Sequence, residues 1–265
     1  MPKSFDLQRA KAHCRDYRLK ILAMSQKVTA LHVAPAFSCL EMVEVIYHWV
    51  KKPSDTFLMS KGHGCLVQYI ILEELGILQK KDIDEYCTKV GRLGAHPDYG
   101  VPGIAAATGS LGHGLGMAVG MAYANKIQHN DGMIYVVISD GELQEGSTWE
   151  AVMMASNLGL NNLVVCLDFN DFTSFGRLTE GHPAMVPVAE KWKAFGWEAA
   201  EINGHDSEAI YVALSKPHSK PSVVIGNTVK GKGVSFMENV PLWHYRSPNA
   251  EEYQQAIREL SEQSL

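Results

Sequence analysis

Two short apolar runs end in residues able to hold a cation. Met133-Ile134-Tyr135-Val136-Val137-Ile138 stops at Ser139-Asp140-Gly141-Glu142, and Leu163-Val164-Val165-Cys166-Leu167 stops at Asp168-Phe169-Asn170. Runs this short, apolar and rich in β-branched residues read as buried parallel strands, and Ser147 to Leu160 between them has helical length and an apolar stripe. The unit is therefore strand, helix, strand, and it organises the stretch from Met133 to Phe175. Open α/β sheets bind ligands at the carboxyl ends of their strands. Asp140 and Asn170 thus offer a carboxylate and an amide oxygen to a common point, while Gly141 and the helix-start N–H groups offer donors to an anion. Hard oxygen ligands suit Mg²⁺ or Ca²⁺ and leave positions for waters and phosphate oxygens, the pattern of a metal-bridged diphosphate. An acidic residue and a glycine at a strand end also fit a plain solvated turn.

The elements that must position these groups can be placed along the chain. Phe5 to about Val28 has helical apolar spacing. Ala30 to Phe37 reads as a turn holding His32 and Pro35. Ser38, with Glu41 three positions on, reads as the cap of a helix to about Val50. Phe57-Leu58-Met59 is a short strand, and Ser60-Lys61-Gly62-His63-Gly64 opens a helix through Leu75. A glycine-flanked histidine between strand and helix can approach an anion closely, although it can also be a mere helix cap. Lys80 to Val90 reads as a short helix. The segment around His96-Pro97 is irregular, and Thr108-Gly109-Ser110-Leu111-Gly112-His113-Gly114 leads into a small-residue helix through Asn125. Ser147-Thr148-Trp149-Glu150 fits a capping box that would start the helix between the two central strands. Further helices are expected over Val188 to Phe195, Ser207 to Leu214 and Ala250 to Leu260, with a last buried strand from Ser222 to Gly226. His205 reads as a structural turn residue, and His32 alone would be a solvated turn histidine. Together these predict an α/β fold, a mostly parallel sheet flanked by helices, in a single domain over residues 1–265.

Composition bounds the function classes. With 265 residues, 46% hydrophobic and 20% charged, the chain is long enough for one large globular domain, and disordered or fibrous classes are excluded. The net charge of −5 comes without a basic block, which argues against a nucleic-acid surface. Five scattered cysteines form no C-x-x-C pair and read as reduced. No apolar run approaches the roughly 20 residues needed to span a bilayer and no signal core opens the chain, so a cytoplasmic protein is expected.

Asp140-Gly141-Glu142 with Glu145-Gly146, Trp149-Glu150-Ala151 and Asn170 resembles the thiamin diphosphate fingerprint, and the best match is to the transketolases. The resemblance runs from Ala12 to Pro248. It implies thiamin diphosphate and Mg²⁺ (or Ca²⁺) as cofactors, with the metal held by Asp140, the Asn170 side chain and the backbone carbonyl of Phe172. Gly141 and Glu142 would lie at the diphosphate. Ser60-Lys61-Gly62-His63 matches the transketolase segment whose histidine meets the diphosphate, and Gly109-Ser110-Leu111 matches the segment beside the thiamin rings. His96 matches a substrate-contacting histidine, and His244 one that reaches diphosphate or substrate. His32 aligns with the histidine of Gly-His-Pro-Gly-Gly-Ser. Here the loop reads Leu31-His32-Val33-Ala34-Pro35-Ala36, with three glycine positions filled, which suggests a changed substrate. Ser139 and Phe169 also depart from the family pattern without removing a metal ligand.

The resemblance covers only the first half of a transketolase. It implies a split enzyme in which a second polypeptide supplies the pyrimidine-binding domain and its activating glutamate, in an α2β2 heterotetramer acting on a small sugar or ketone. The expected reaction is transfer of a two-carbon ketol unit from a ketose-type donor to an aldehyde. Two other readings stay open at this point: a subunit of a 2-oxoacid-decarboxylating or acyloin-forming thiamin enzyme, and a catalytically inert scaffold subunit.

Overall fold

A computed structural model describes residues 4–28, 31–174 and 176–262; Ala30, where the expected turn begins, and Phe175 lie outside them. Five parallel strands form one sheet: β1 (Thr56–Met59), β2 (Ile134–Ser139), β3 (Leu163–Phe169), β4 (Glu198–Asn203) and β5 (Ser222–Asn227), in the order β1-β2-β3-β5-β4. The helices in chain order are α1 (Leu7–Ser25), α2 (Val33–Ser38), α3 (Leu40–Val45), α4 (Cys65–Glu74), α5 (Lys80–Asp84), α6 (Gly114–Ile127), α7 (Gly146–Asn157), α8 (Leu178–Gly181), α9 (Val188–Ala194), α10 (Ser207–Leu214) and α11 (Ala250–Glu262).

Strand side chains alternate between faces, and here both faces are covered, which is why the strands read as continuous apolar runs. Met59, Tyr135, Val137, Val164, Cys166 and Val224 pack with α1 to α4, α10 and α11. Leu58, Val136, Ile138, Val165, Leu167 and Ile225 pack with α6, α7 and α9. A buried ion pair ties the first layer together, Arg18 Nη2 to Glu41 Oε1 at 2.6 Å. His205 is structural, as its turn position suggests: its Nδ1 lies 3.0 Å from Glu41 Oε2, and its Nε2 accepts from Val229 N at 2.8 Å. All five cysteines are free thiols, four of them buried. No described helix is long and apolar enough to cross a membrane.

Several local expectations are corrected. Val33 to Ser38 is helical rather than a turn, and a break at Cys39 separates it from α3, which continues as a π-helical turn over Ile46–Val50. Ser38 caps nothing, because its hydroxyl is drawn to Asp168 and accepts from Asn170 Nδ2. The capping box forms earlier in the chain, between Ser139 and Glu142, whereas α7 starts at Gly146 without a side-chain cap and the Ser147 hydroxyl donates to Gly112 O. The helix expected through Val90 ends at Asp84: no residue of α5 is buried, so no packing carries it further.

Candidate functional site

The carboxyl ends of four adjacent strands meet at one cavity of about 640 Å³. β1 runs out into Lys61 and His63, β2 into Asp140, β3 into Asn170 and Phe172, and β5 into Lys230. The register puts these ends level, since Met59 pairs with Val137, Ser139 with Asp168, and Phe169 with Asn227.

At the base of the site lies a buried polar network that the sequence reading did not single out. The Asp168 carboxylate, fully buried, is hydrogen-bonded by Lys61 Nζ, Ser38 Oγ and Thr228 Oγ1, and Asn170 Nδ2 lies 3.4 Å away. Lys61 also donates to Pro35 O at 3.0 Å. Burial alone would push the Lys61 ammonium down, but the Asp168 carboxylate outweighs it and holds the group protonated. The pair therefore fixes β1, β3 and α2 relative to one another. An acid directly after an apolar strand run and a lysine beside a strand end were visible signals, but their pairing was not.

Asp140 has a different environment. It is 1% exposed, its Oδ1 accepts from Gly141 N at 2.8 Å, and its Oδ2 finds no hydrogen-bond partner among the described residues. Burial first, and then the Asp168 carboxylate, push its carboxyl up to about 7. An orphaned buried oxygen of this kind is costly unless a cation meets it. Asn170 and Phe172 line the same cavity, and Asn170 Oδ1, which accepts from Phe172 N at 2.9 Å, keeps a second lone pair. A carboxylate, an amide oxygen and a backbone carbonyl make an all-oxygen donor set, which fits a hard divalent cation.

Above this base the four histidines singled out in the sequence converge. His32 stands 5.7 Å from His63, 5.6 Å from His96 and 5.7 Å from His244 between ring centroids, and His63 stands 5.3 Å from His244. Burial and then neighbouring cationic groups depress them. His32 falls to about 4, with His96, Lys61 and Lys230 adding to burial; His244 falls to about 3 through burial, Lys230, His32 and Lys61. His63 is also well below the usual imidazole range, through burial and Lys61, and burial lowers His96. Lys230, also missed in the sequence, is 1% exposed, with its Nζ 2.8 Å from His244 Nδ1 and 3.2 Å from Thr173 O. Burial and Lys61 lower it to about 8, against the opposing pull of the Asp140 and Asp168 carboxylates, so it is a cation at neutral pH that no carboxylate among the described residues hydrogen-bonds. The cavity thus offers one ammonium and four neutral imidazoles to an anion.

Glycines leave room at the wall. Gly109 has φ +134°, and a Cβ added to Gly62 would stand 2.8 Å from Gly109 N, so the two backbones touch. Gly109 and Leu111 line the cavity, with the exposed Ser110 between them. Glu142 is turned away from it: its carboxylate is held by Ser60 Oγ, by Ser139 N at 2.9 Å and by Gly112 N at 3.2 Å, so it braces the loops behind the wall. A Cβ at Gly141 would meet nothing closer than Ser139 Oγ at 3.8 Å, so the protein itself would tolerate a side chain there. Gly141→Ala is expected to fold with a melting temperature close to the parent's yet to bind thiamin diphosphate at least about tenfold more weakly, because the methyl fills space facing the cavity. Thermal denaturation and calorimetric titration check both halves.

The family model described as "Transketolase, thiamine diphosphate binding domain" matches residues 24–261. The chain belongs to the transketolase family. Among curated relatives it is 38% identical over 257 residues to an apulose-4-phosphate transketolase subunit of Phocaeicola vulgatus, an alignment covering 92% of this chain and 91% of that one. It is 34% identical over 245 residues to the 6-deoxy-6-sulfo-D-fructose transketolase subunit SqwG of a Clostridium species, covering 88% and 89%. The solved transketolase of Campylobacter jejuni superposes with a TM-score of 0.90 at 28% identity, covering 97% of this chain and 43% of that one. The chain therefore spans less than half the length of such single-chain transketolases, and it matches separate transketolase subunits almost end to end. It is a subunit of a thiamin diphosphate-dependent transferase of the transketolase type.

Proposed function

We propose that this chain is one thiamin diphosphate-binding domain over residues 1–265, which holds Mg²⁺ and the cofactor diphosphate and transfers two-carbon ketol units together with a second, pyrimidine-binding subunit. The observation that carries the proposal is the orphaned Asp140 Oδ2, buried at the cavity base beside Asn170 and Phe172. Asp140, the Asn170 side chain and the Phe172 carbonyl would hold the metal. Gly141, His63 and Lys230 would meet the diphosphate, with Gly109 and Leu111 beside the thiamin rings. When bound, the cofactor supplies the nucleophilic carbon that carries the two-carbon unit.

The protein's own part is positioning and proton handling. His32, His96 and His244 surround the space above the metal, and their depressed values keep them uncharged at neutral pH. A neutral imidazole can accept a hydroxyl proton from a ketose donor at one nitrogen and return it later, which a standing imidazolium cannot do. The naming of the relatives as subunits supports a separate partner, and an α2β2 assembly gives the two subunits equal numbers. Those names speak of a sugar phosphate and a sulfosugar, so a ketose with an anionic end is the donor class to test first. The absence of a membrane-spanning helix among the described residues is compatible with a cytoplasmic site of action.

The test is reconstitution of this chain with its partner subunit, Mg²⁺ and thiamin diphosphate, followed by assay of ketol transfer from ketose phosphates to aldehydes. Release of carbon dioxide from a 2-oxoacid in place of ketol transfer would overturn the reaction class. Absence of cofactor binding would leave the inert-scaffold reading. Lys230→Met should weaken cofactor binding about 10 to 100-fold, the loss of one charge-assisted hydrogen bond. Parent affinity should also fall as pH rises through about 8, where the ammonium deprotonates in the cofactor-free protein, and that dependence should disappear in the variant. Titrations from pH 7 to 9.5 read both effects.

A further inference from the structure

Away from the cavity, α1 and α3 cross with matched side-chain pairs. His13 and Tyr17 lie four residues apart on α1, and Glu44 and His48 lie four apart on α3 and its π-helical continuation, so each pair shares a helix face. His13 Nδ1 is 2.8 Å from Glu44 Oε1, Tyr17 Oη is 2.8 Å from His48 Nε2, and the two imidazole centroids are 4.6 Å apart. One ligand atom from each of His13, Glu44 and His48 lies within 4.8 Å of the others, the one such trio among the described residues. Nothing in the thiamin site uses them.

We propose that His13, Glu44 and His48 form a second metal site, for a divalent transition metal of the zinc class. Two imidazoles and a carboxylate suit Zn²⁺ with a fourth position left to water, and they suit Mg²⁺ poorly. The chain would then sort its metals by ligand chemistry, oxygen at Asp140 and nitrogen here.

The surroundings are those a bound metal needs. The Glu44 side chain is fully buried, and Trp49 Nε1 donates to its two oxygens at 3.0 and 3.2 Å, which fixes the carboxylate plane. Tyr17 Oη stands 2.8 Å from Nε2 of His48, and Glu74 Oε1 stands 4.0 Å from Nε2 of His13, partners of the kind that orient metal-bound imidazoles. Arg9 Nε, 3.4 Å from the same His13 nitrogen, belongs to an exposed side chain that can turn into solvent. Tetrahedral coordination with bonds of about 2.0 Å separates ligand atoms by about 3.3 Å, so His13 and Glu44 need open by only about half an ångström. His13 is 15% exposed, which leaves a path for entry. A π-helical turn at His48 is also a local irregularity of a kind often kept where a side chain has to be re-aimed. In place the metal would clamp α1 to α3.

The experiment uses the untagged full chain, with excess Mg²⁺ and thiamin diphosphate present so that the Asp140 site does not compete. After equilibration with Zn²⁺ and gel filtration, elemental analysis should find one Zn²⁺ per chain. His13→Gln and His48→Gln should each weaken retention at least tenfold, and Tyr17→Phe, which removes only an orienting group, about tenfold. Asp140→Asn should retain Zn²⁺ like the parent, so the result stands or falls apart from the cofactor reading. Circular dichroism confirms that each variant is folded, and Co²⁺ in place of Zn²⁺ should give the intense visible absorption of a four-coordinate site. Failure of the folded parent to retain Zn²⁺, or undiminished retention in folded His48→Gln and His13→Gln, would overturn the proposal and leave a hydrogen-bonded helix crossing.

Discussion

Asp140→Asn is expected to make the metal-free protein more stable while nearly abolishing its retention of thiamin diphosphate. The two halves have one cause. In the folded, metal-free chain the Asp140 carboxyl is pushed up to about 7, against 3.8 for the ordinary group. A carboxyl raised on folding contributes fully to stability below its unfolded value and loses that contribution as pH rises through its folded value. The metal-free protein should therefore lose about 4 kcal/mol between pH 4 and pH 7 from this group alone. Asparagine carries no charge to desolvate, so the variant should lack this part of the pH dependence and exceed the parent above pH 7. With Mg²⁺ and the cofactor present the order reverses, because the cation that offset the buried carboxylate has lost its anionic ligand. Urea denaturation at pH 5 and 8, with and without Mg²⁺ and thiamin diphosphate, reads the crossing. A variant less stable than the parent in the metal-free state at pH 8 would contradict the assignment of Oδ2 as an uncompensated ligand.

Asp168→Asn should do the opposite, costing about 3 to 5 kcal/mol of stability whether or not cofactor is present. Lys61 is fully buried and depends on Asp168 for its charge, while Ser38 and Thr228 spend their hydroxyls on the same carboxylate. Replacing the acid leaves an ammonium enclosed without a counter-ion. The double variant Lys61→Met with Asp168→Asn removes that charge as well and should recover a large part of the loss, so a double-mutant cycle measures the coupling. Purely additive losses would mean that the two residues act separately.

Much of the fold could be read along the chain. Apolar β-branched runs ending in polar residues marked β2, β3 and β5, and the acid and amide at two of those ends marked the cavity base. His63 and His244 could be placed beside it through family resemblance. What escaped was the set of side chains whose meaning depends on neighbours far along the chain. Lys61 stood inside a motif that drew attention to His63, and Asp168 looked like the end of a strand. Local patterns also misled where two sites competed for one rule. Ser139 to Glu142 and Ser147 to Glu150 both match the capping-box spacing, and the structure uses the first because Glu142 is also gripped by Ser60 and Gly112 from elsewhere. Ser38 has the residue type of a cap, but a buried carboxylate offers its hydroxyl a better partner. Glu142 followed the family pattern into the expected cofactor set, yet its hydrogen bonds hold it behind the wall.

The network around Asp168 joins partners separated by 130, 107 and 60 positions in sequence. Closing loops of that length is slow, and parallel pairing gives no local hairpin from which to start. Residues from β1, β2, β3 and β5 become neighbours only once those strands are in register, so the complete cavity exists only in the assembled sheet. During refolding, recovery of thiamin diphosphate binding should accordingly lag behind the return of helical signal, making the cofactor a reporter of the completed sheet.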